Sequence, residues 1–229
     1  MIYLGNKPVG PAVKTFNPLK YAAYCYQLFR YAQNLPETMI LDFEGQTNIR
    51  SDTNTFFYMF ESSAGMKHLI IRNLISPDGG IGVNHTFNVS GLEDITFENC
   101  TPFKIRSASR TFSNGDLLRV VGAIDCSPMT SGNNDAFYYC THLVDAEFVP
   151  NTINTTISFS GDVALSDNTL VSIANGLNPD YASSVSFATT PKARLNTLMG
   201  NNDNGTFVAD ENGLMTLGSF ITTIKGWTY

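Results

Sequence analysis

The chain of 229 residues contains 14 Lys and Arg against 20 Asp and Glu, a formal net charge of −6, and only 15% of its residues are charged. Since globular domains usually contain about 25% charged residues, this surface is expected to be built from neutral polar groups, as in β-rich or repetitive proteins. Sixteen Phe and ten Tyr provide a sizeable core, which argues against intrinsic disorder, and an acidic chain without a basic stripe is not expected to bind nucleic acid.

The first residues of the chain do not have the pattern of a secretory signal. Residues 1–10 lack both the basic start and the apolar core of a signal peptide, so a chain that begins here is not expected to be exported by that route. The best apolar runs, 68–72 and 117–121, each contain an arginine. No membrane insertion is therefore expected.

The first predicted element is a helix over residues 17–36. Asn17 can act as its N-cap, Pro18 fits its first turn, and Pro36 ends it. Apolar residues recur between them at helical spacing, namely Leu19, Ala22, Ala23, Tyr26 and Phe29. A second interpretation of the same segment is an early, degenerate copy of the repeat described next, which would start at Phe29 with Leu35 six residues on.

The centre of the chain, residues 37–163, contains a degenerate repeat of about 25 residues. Its markers are Phe60, Phe87, Phe112 and Phe137, which are 27, 25 and 25 residues apart. Three of these phenylalanines are followed by apolar residues at matching places: Met66, Leu69 and Ile71; Leu92, Ile95 and Phe97; Leu143, Ala146 and Phe148. After Phe112 two registers fit, one with Leu117 and Val120 and the other with Leu118 and Val121.

Each repeat is predicted to end in a short strand, because its last two apolar positions are two residues apart and share one face of an extended chain. Clusters of Asn, Asp, Gly and Ser at 76–80, 113–116 and 131–135 supply the turns. One coil of this length cannot bury its single apolar edge alone, so the coils are expected to stack into a parallel sheet. The residues predicted to form the internal ladders are Phe60, Phe87, Phe112, Phe137, Leu92 and Leu143.

The C-terminal residues 164–229 show alternating strand and helix patterns. Helices are predicted from Ser166 through Leu177, from Thr190 to Gly200, and over 214–226, with strands at Val185–Phe187 and 227–229. Because both ends of a stack leave a strand edge that must be covered, we interpret this segment as a C-terminal cap and the helix over 17–36 as an N-terminal one. The chain would then be a single domain over 1–229, with an N-terminal strand and capping helix in 1–36, repeats in 37–163 and a strand/helix cap in 164–229.

The segment 135–150 resembles a unit of the BspA-type leucine-rich repeats, whose phrase Ala-Phe-x-x-Cys-x-x-Leu is followed by a strand and often by Pro. The matching residues are Ala136, Phe137, Cys140, Leu143 and Pro150. Segments 54–60 and 92–97 are similar to other units but lack the cysteine. Segments 164–177 and 225–229 are similar to the C-terminal cap of such proteins in gut Firmicutes and their prophages, and residues 1–10 resemble small phage structural proteins.

The repeat pattern and this resemblance together predict an α/β repeat fold: an irregular leucine-rich-repeat-like solenoid with a parallel sheet and helical caps at both ends. The resemblance implies a non-catalytic recognition or assembly protein without a cofactor, associated with a virion, or cytoplasmic before assembly, or related to a bacterial surface. Its expected partner is a protein or glycan surface. The alternatives are a carbohydrate-active parallel β-helix enzyme of the phage tailspike kind and a host-directed adhesin.

Two groups of residues are candidates for binding. The outward positions of the three clear strands form a possible binding face, composed of Ile70, Arg72, Thr96, Glu98 and Glu147. Aromatic residues in the turns would suit sugar stacking or a protein hot spot, with Phe57, Tyr58, Tyr138 and Tyr139 as candidates.

Catalytic and metal-binding patterns are weak. The histidines His68, His85 and His142 are not accompanied by a nucleophile motif, and the Asn/Asp-rich segments 201–205 and 210–213 lack the order of a calcium loop. Carboxylates occur at comparable places in adjacent coils and could form a glycosidase pair, although a solvated surface is the preferred interpretation: Glu93, Asp94, Glu98, Asp145 and Glu147. The four cysteines show no metal-binding spacing and are expected to be buried thiols: Cys25, Cys100, Cys126 and Cys140.

Overall fold

The computed structural model describes residues 13–18, 25–112, 119–129, 137, 143–161, 164–181 and 183–229. Several predictions fall on residues outside these ranges, namely those concerning 1–10, 19–24, the turns at 113–116 and 131–135, Leu117, Leu118, Ala136, Tyr138, Tyr139, Cys140 and His142. Within the described residues, the strands in chain order are β1 (Val13–Phe16), β2 (Thr38–Asp42), β3 (Ser63–Ala64), β4 (His68–Arg72), β5 (Ile81–Gly82), β6 (Val89–Ser90), β7 (Asp94–Glu98), β8 (Phe103–Ser107), β9 (Arg119–Asp125), β10 (Asp145–Phe148), β11 (Ile157–Phe159), β12 (Val185–Phe187), β13 (Met199–Asp203), β14 (Thr206–Ala209) and β15 (Met215–Thr216). The helices are α1 (Asp167–Gly176), α2 (Thr189–Leu195) and α3 (Leu217–Thr223).

The protein is a parallel β-solenoid of about six coils. Its main sheet is formed by β1, β2, β4, β7, β9 and β10, each of which pairs in parallel with the next. Thr38, His68, Asp94, Arg119 and Asp145 occupy aligned positions on successive strands, so one coil takes between 25 and 30 residues. The predicted repeat solenoid with a parallel sheet is therefore confirmed.

Alternating side chains of the sheet point into the core, as the spacing of two predicted. In β2 and β4 the buried positions are Met39, Leu41, Leu69 and Ile71. In β9 the residue aligned with Ile95 is Val120. Val120 is 3% exposed and its neighbour Val121 is 54% exposed. The repeat after Phe112 thus follows the register that places Val120 inside.

Strand β9 pairs with β7 and β8 as well as with β10, and Gly122 lies between the residues that pair with β7 and those that pair with β8. Its first half pairs with β7 and its second half with β8, which in turn pairs with β5. Between the halves lies Gly122 with φ of 114°, where an added Cβ would be 2.9 Å from Cβ of Phe97. Only glycine adopts this conformation readily and leaves that space to the ring.

A second side of the solenoid is built from turns, in residues 25–32, 54–63, 83–89 and 108–112, and we call it the turn face. Backbone N–H groups of this side bond to carbonyls of the next coil: Phe29 to Met59 at 2.8 Å, Phe60 to Thr86 at 3.0 Å and Phe87 to Thr111 at 3.0 Å. Residues between them close turns within their own coil, as Met59 N does with Phe56 O at 3.1 Å. Coils are therefore joined by hydrogen bonds on this side as well as in the sheet.

The helix predicted over residues 17–36 is wrong for its described part. Residues 25–36 contain turns and no helix, because Gln27 and Tyr31 have φ of 55° and 61°, outside the right-handed helical region. Cys25 N donates to Thr55 O of the next coil at 3.1 Å instead of to a carbonyl of its own segment. Phe29 belongs to the stack of coils, as the alternative interpretation of this segment had it.

Phenylalanine rings stack in the interior as one pair, Phe29 with Phe60, and as a column that runs from Phe87 to Phe187. The stacked pairs are Phe29 with Phe60 at 5.2 Å between ring centroids, Phe87 with Phe112 at 5.5 Å, Phe112 with Phe137 at 5.0 Å, Phe137 with Phe159 at 4.9 Å, and Phe159 with Phe187 at 5.9 Å. All of these rings are buried, as are the ladder residues Leu92 and Leu143. The last two rings lie on the paired strands β11 and β12, and Phe187 lies beyond residues 37–163, to which the sequence assigned the repeats.

Helix α1 lies against β10, where a further strand would otherwise pair. Thr169 Oγ1 accepts a hydrogen bond from Ala146 N at 3.0 Å, and Ser172 Oγ accepts one from Phe148 N at 2.8 Å. The helix begins where the sequence predicts, since Ser166 Oγ accepts from Thr169 N at 3.2 Å as an N-cap does. Side-chain hydroxyls thus satisfy donors of the last strand of the main sheet.

The C-terminal part continues the parallel arrangement only in part. The bridge between Ser184 and Thr228 is parallel, but β13, β14 and β15 form an antiparallel sheet that the sequence analysis did not predict. The hairpin between β13 and β14 turns at Asn204 and Gly205, both with positive φ. An Asn-Gly pair is a strong signal for such a turn, so this element could have been found from the sequence.

Lys225 fixes the C-terminal segment to the last coils. Its side chain is buried, and Nζ donates to Asn151 Oδ1 at 2.6 Å and to Asn175 O at 3.3 Å. Both acceptors are neutral, and burial lowers the pKa of Lys225 to about 8. The charged form of this lysine is therefore less favourable in the folded protein than in water.

We expect Phe112→Ala to lower the free energy of unfolding by about 3–5 kcal/mol, because removal of a buried ring leaves a cavity. The measurement is urea unfolding followed by circular dichroism. Val121→Ala is the control, since truncation of this exposed side chain should change the free energy by less than about 0.5 kcal/mol. A loss below about 1 kcal/mol for Phe112→Ala would contradict its place in the column.

We expect the free energy of unfolding to rise with pH between about 8 and 10.5, which are the pKa values of Lys225 in the folded and the unfolded chain. Its pKa is about 8 in the folded chain against 10.5 for the free group, so between these values the unfolded chain binds more protons and the free energy of unfolding increases with pH. Relative to Lys225→Met, the wild type should gain about 2 kcal/mol between pH 7.5 and 10. Parallel pH profiles of the two proteins in urea would contradict this assignment.

Candidate functional site

The outward side chains of the main sheet form three parallel rows, which we call the sheet face. One outer row contains Thr38, His68, Asp94, Arg119 and Asp145; the middle row contains Thr15, Ile40, Ile70, Thr96 and Val121; the other outer row contains Asp42, Arg72 and Glu98. Of the predicted binding residues, Ile70 and Thr96 are therefore neighbours in the middle row. Glu147, on β10, is exposed and aligned with Ala123.

The predicted residues Arg72 and Glu98 form an ion pair on adjacent strands. Glu98 Oε2 accepts from Arg72 Nε at 2.8 Å and lies 2.6 Å from Nη2, and both side chains are about one-third exposed. In the same row Asp42 accepts from Asn73 Nδ2 and from Glu44 N, each at 2.9 Å. These two hydrogen bonds, that of Asn73 first, lower the pKa of Asp42.

The other charged row is paired in the same way. His68 Nδ1 lies 2.6 Å from Asp94 Oδ2, and Arg119 Nε lies 3.6 Å from Asp145 Oδ2. Beside this row Lys67 Nζ lies 3.5 Å from both Glu37 and Glu93, and these carboxylates raise the pKa of Lys67, Glu93 having the larger effect. The charges of this row are thus compensated from one coil to the next.

The contacts of the sheet face involve four of the carboxylates from which a glycosidase pair could be formed. Such a pair needs two carboxyl groups facing one scissile bond, one of them held in its acid form. Here Glu93, Asp94, Glu98 and Asp145 are each engaged with a lysine, an arginine or a histidine of an adjacent coil, instead of facing one another across an open cleft. In the register of the sheet, Arg119 lies between Asp94 and Asp145.

The turn face carries a cluster of aromatic side chains, which includes the predicted Phe57 and Tyr58. The ring of Tyr26 stacks on Phe57 with 5.8 Å between centroids, and the ring of His85 lies 5.0 Å from that of Tyr58. Tyr26 and Tyr31 are 46% and 56% exposed. These two tyrosines were not among the binding candidates predicted from the sequence, because the spacing of apolar residues in 17–36 favoured a helix.

A charged pair holds this cluster together. Glu61 Oε2 accepts from Arg30 Nε at 2.6 Å, and His85 Nδ1 lies 3.6 Å from Glu61 Oε1. The guanidinium carbon of Arg30 lies 4.6 Å from the ring centroid of Tyr31 and 4.3 Å from that of Tyr58. Such contacts of Arg with aromatic rings fix the positions of all the partners. We call Tyr26, Arg30, Tyr31, Phe57, Tyr58, Glu61 and His85 the aromatic cluster.

Other reactive groups are placed in structural roles. Cys25, Cys100 and Cys126 are free thiols, and burial raises the pKa of Cys25 to about 12 and raises that of the other two as well. Thiols with raised pKa are poor nucleophiles and metal ligands. Among the described residues no group of three or more His, Cys, Asp or Glu side chains is placed to hold a metal ion.

The Asn/Asp-rich C-terminal segments satisfy their oxygens within their own loops. Asn202 Oδ1 accepts from Gly205 N at 2.9 Å, Asp210 Oδ1 from Asn212 N at 2.9 Å, and Asn201 Oδ1 from Leu214 N at 3.2 Å. These contacts are those of turns and a hairpin.

The chain matches no family model, no curated protein and no solved structure. In the described part of the chain, no helix has the length and apolar character needed to cross a membrane. The arrangement of the coils and of the two faces is therefore the basis on which a function can be proposed.

Proposed function

We propose that this protein is a non-catalytic recognition or assembly protein of leucine-rich-repeat type, which binds a protein or a glycan through side chains that project from its coils. The observation that carries this proposal is the sheet face, where side chains of successive coils are aligned in three rows and fixed by ion pairs between coils. A surface held rigid in this way loses little conformational entropy on binding.

The composition of the rows supports a contact surface. The middle row presents Ile40, Ile70 and Val121 between two rows of paired charges. An apolar strip bordered by polar groups is the usual composition of protein contact surfaces. The paired charges add hydrogen-bonding groups of defined direction at the borders.

The proposal includes two further statements. The chain is related to BspA-type leucine-rich repeats, and it is associated with a phage or a bacterial surface. A coil of 25 to 30 residues is close to the period of about 20–29 residues in leucine-rich repeats, which supports the resemblance. The fold alone does not identify a partner. A host-directed adhesin would be one form of the same binding function.

The second candidate is a carbohydrate-active enzyme of the tailspike kind, which the parallel solenoid favours because that class shares its architecture. The ion pairs described above argue against it.

We therefore expect no release of reducing ends when the protein is incubated with a panel of bacterial polysaccharides. If the wild type hydrolyses a polysaccharide and Glu98→Gln does not, the binding proposal is wrong and the protein is a carbohydrate-active enzyme.

We expect Arg72→Ala and Glu147→Ala to weaken binding to any protein or glycan captured on arrays of the two classes by at least about tenfold, equivalent to about 1.4 kcal/mol. Each variant removes a charged group from the sheet face. Glu211→Ala is the control, since Glu211 is exposed near the C-terminal hairpin and outside the sheet face. If no array member binds the wild type, the recognition function is refuted.

A further inference from the structure

We propose that the aromatic cluster on the turn face is a binding site for a neutral carbohydrate chain. This inference rests on the proposed recognition function and names a ligand class and a second surface for it. The first observation that supports it is the position of the aromatic rings. Tyr26 and Phe57 lie on adjacent coils with an angle of 15° between their planes, and Tyr26 and Tyr31 are both substantially exposed. Stacking covers one face of Tyr26 and of Phe57, but the exposed parts of Tyr26 and Tyr31 offer apolar surface to the C–H groups of a sugar, and the tyrosine hydroxyls offer hydrogen bonds.

Polar groups of fixed direction surround the rings. Arg30 is held by Glu61 and by contact with Tyr31 and Tyr58, so its remaining N–H groups have a defined position. His85 contacts both Glu61 and Tyr58. Sugar hydroxyls require donors and acceptors placed around a stacked ring, and groups already fixed in the free protein bind them at low entropic cost.

The backbone beneath the cluster is strained at an equivalent position in four coils. Gln27, Tyr58, His85 and Arg110 have φ of 55°, 57°, 53° and 48°, and the hydrogen bonds from Gln27 N to Phe57 O, Tyr58 N to Asn84 O and His85 N to Ser109 O align them. Glycine would adopt this conformation with less strain. Tyr58 and His85 of the cluster thus adopt the conformation that this turn of the coil requires.

The neighbours of the cluster favour a carbohydrate over a protein. In the next two coils, the positions aligned with Tyr26 and Phe57 are Asn84 and Ser109, and Asn88 is aligned with Arg30 and Glu61. A protein hot spot is an apolar pocket closed off from water, whereas here the rings continue into amides and a hydroxyl. A saccharide chain lying across the coils would meet both kinds of group. Because Glu61 neutralises Arg30, a neutral saccharide suits the site better than a polyanion.

The test is isothermal titration calorimetry of the full chain with neutral hexasaccharides of glucose, mannose, xylose and N-acetylglucosamine. At least one of them should bind with millimolar or tighter affinity. Tyr26→Ala should weaken that binding at least about tenfold, while Tyr181→Ala, which truncates another half-exposed tyrosine (51%) outside the cluster, should leave it unchanged.

A second variant separates binding from folding. Tyr58→Gly removes a ring from the cluster while giving the left-handed position the residue that suits it, so binding should be lost with the circular dichroism spectrum retained. Absence of binding by every hexasaccharide would overturn the carbohydrate site, even if a protein on the array binds and the recognition function stands. Saccharide binding that survives Tyr26→Ala and Tyr58→Gly but is lost in Arg72→Ala would also overturn it and place recognition on the sheet face.

Discussion

The hydrogen bonding of each coil to the next is the interaction on which the rest of the structure depends. It occurs on two sides: strands pair in the main sheet, and N–H groups such as those of Phe60 and Phe87 bond to the following coil on the turn face. With both sides fixed, the residues of these two sides lie over defined residues of the neighbouring coil. This register brings the rings from Phe87 to Phe187 close enough to stack.

A stack of this kind leaves backbone groups at its end, and here side chains satisfy them. Thr169 and Ser172 of α1 accept from the N–H groups of β10. Asn175 of the same helix accepts from Phe207 N at 2.6 Å and donates to Phe207 O at 3.1 Å, in the manner of a paired strand. One helix thus occupies the edge of two sheets. The edges of β10 and β14 are therefore covered by side chains of α1 without a further strand.

Features of the fold that arise from the burial pattern along the chain could be predicted from the sequence, whereas features that depend on bonds between distant residues could not. The spacing of Phe87, Phe112 and Phe137 and the alternation within strands predict the stacked coils, since both reflect burial. The helix predicted over 17–36 failed because Tyr26 and Phe29 fit a helical spacing and a repeat equally well, and only bonds to residues about 30 positions away decide between them. For the same reason the pairs Arg30–Glu61 and His68–Asp94 could not be found before the register was known.

The pairing of charges between coils has a consequence for recognition. Arg30, Arg72, Arg119 and His68 each lie beside a carboxylate of an adjacent coil, so none of these side chains offers an uncompensated positive charge to a partner. What the faces offer is a fixed pattern of rings, aliphatic side chains and hydrogen-bonding groups, repeated at the spacing between coils. A partner that repeats along one direction matches such a pattern over several coils, and each coil then adds a contact without further ordering of the protein.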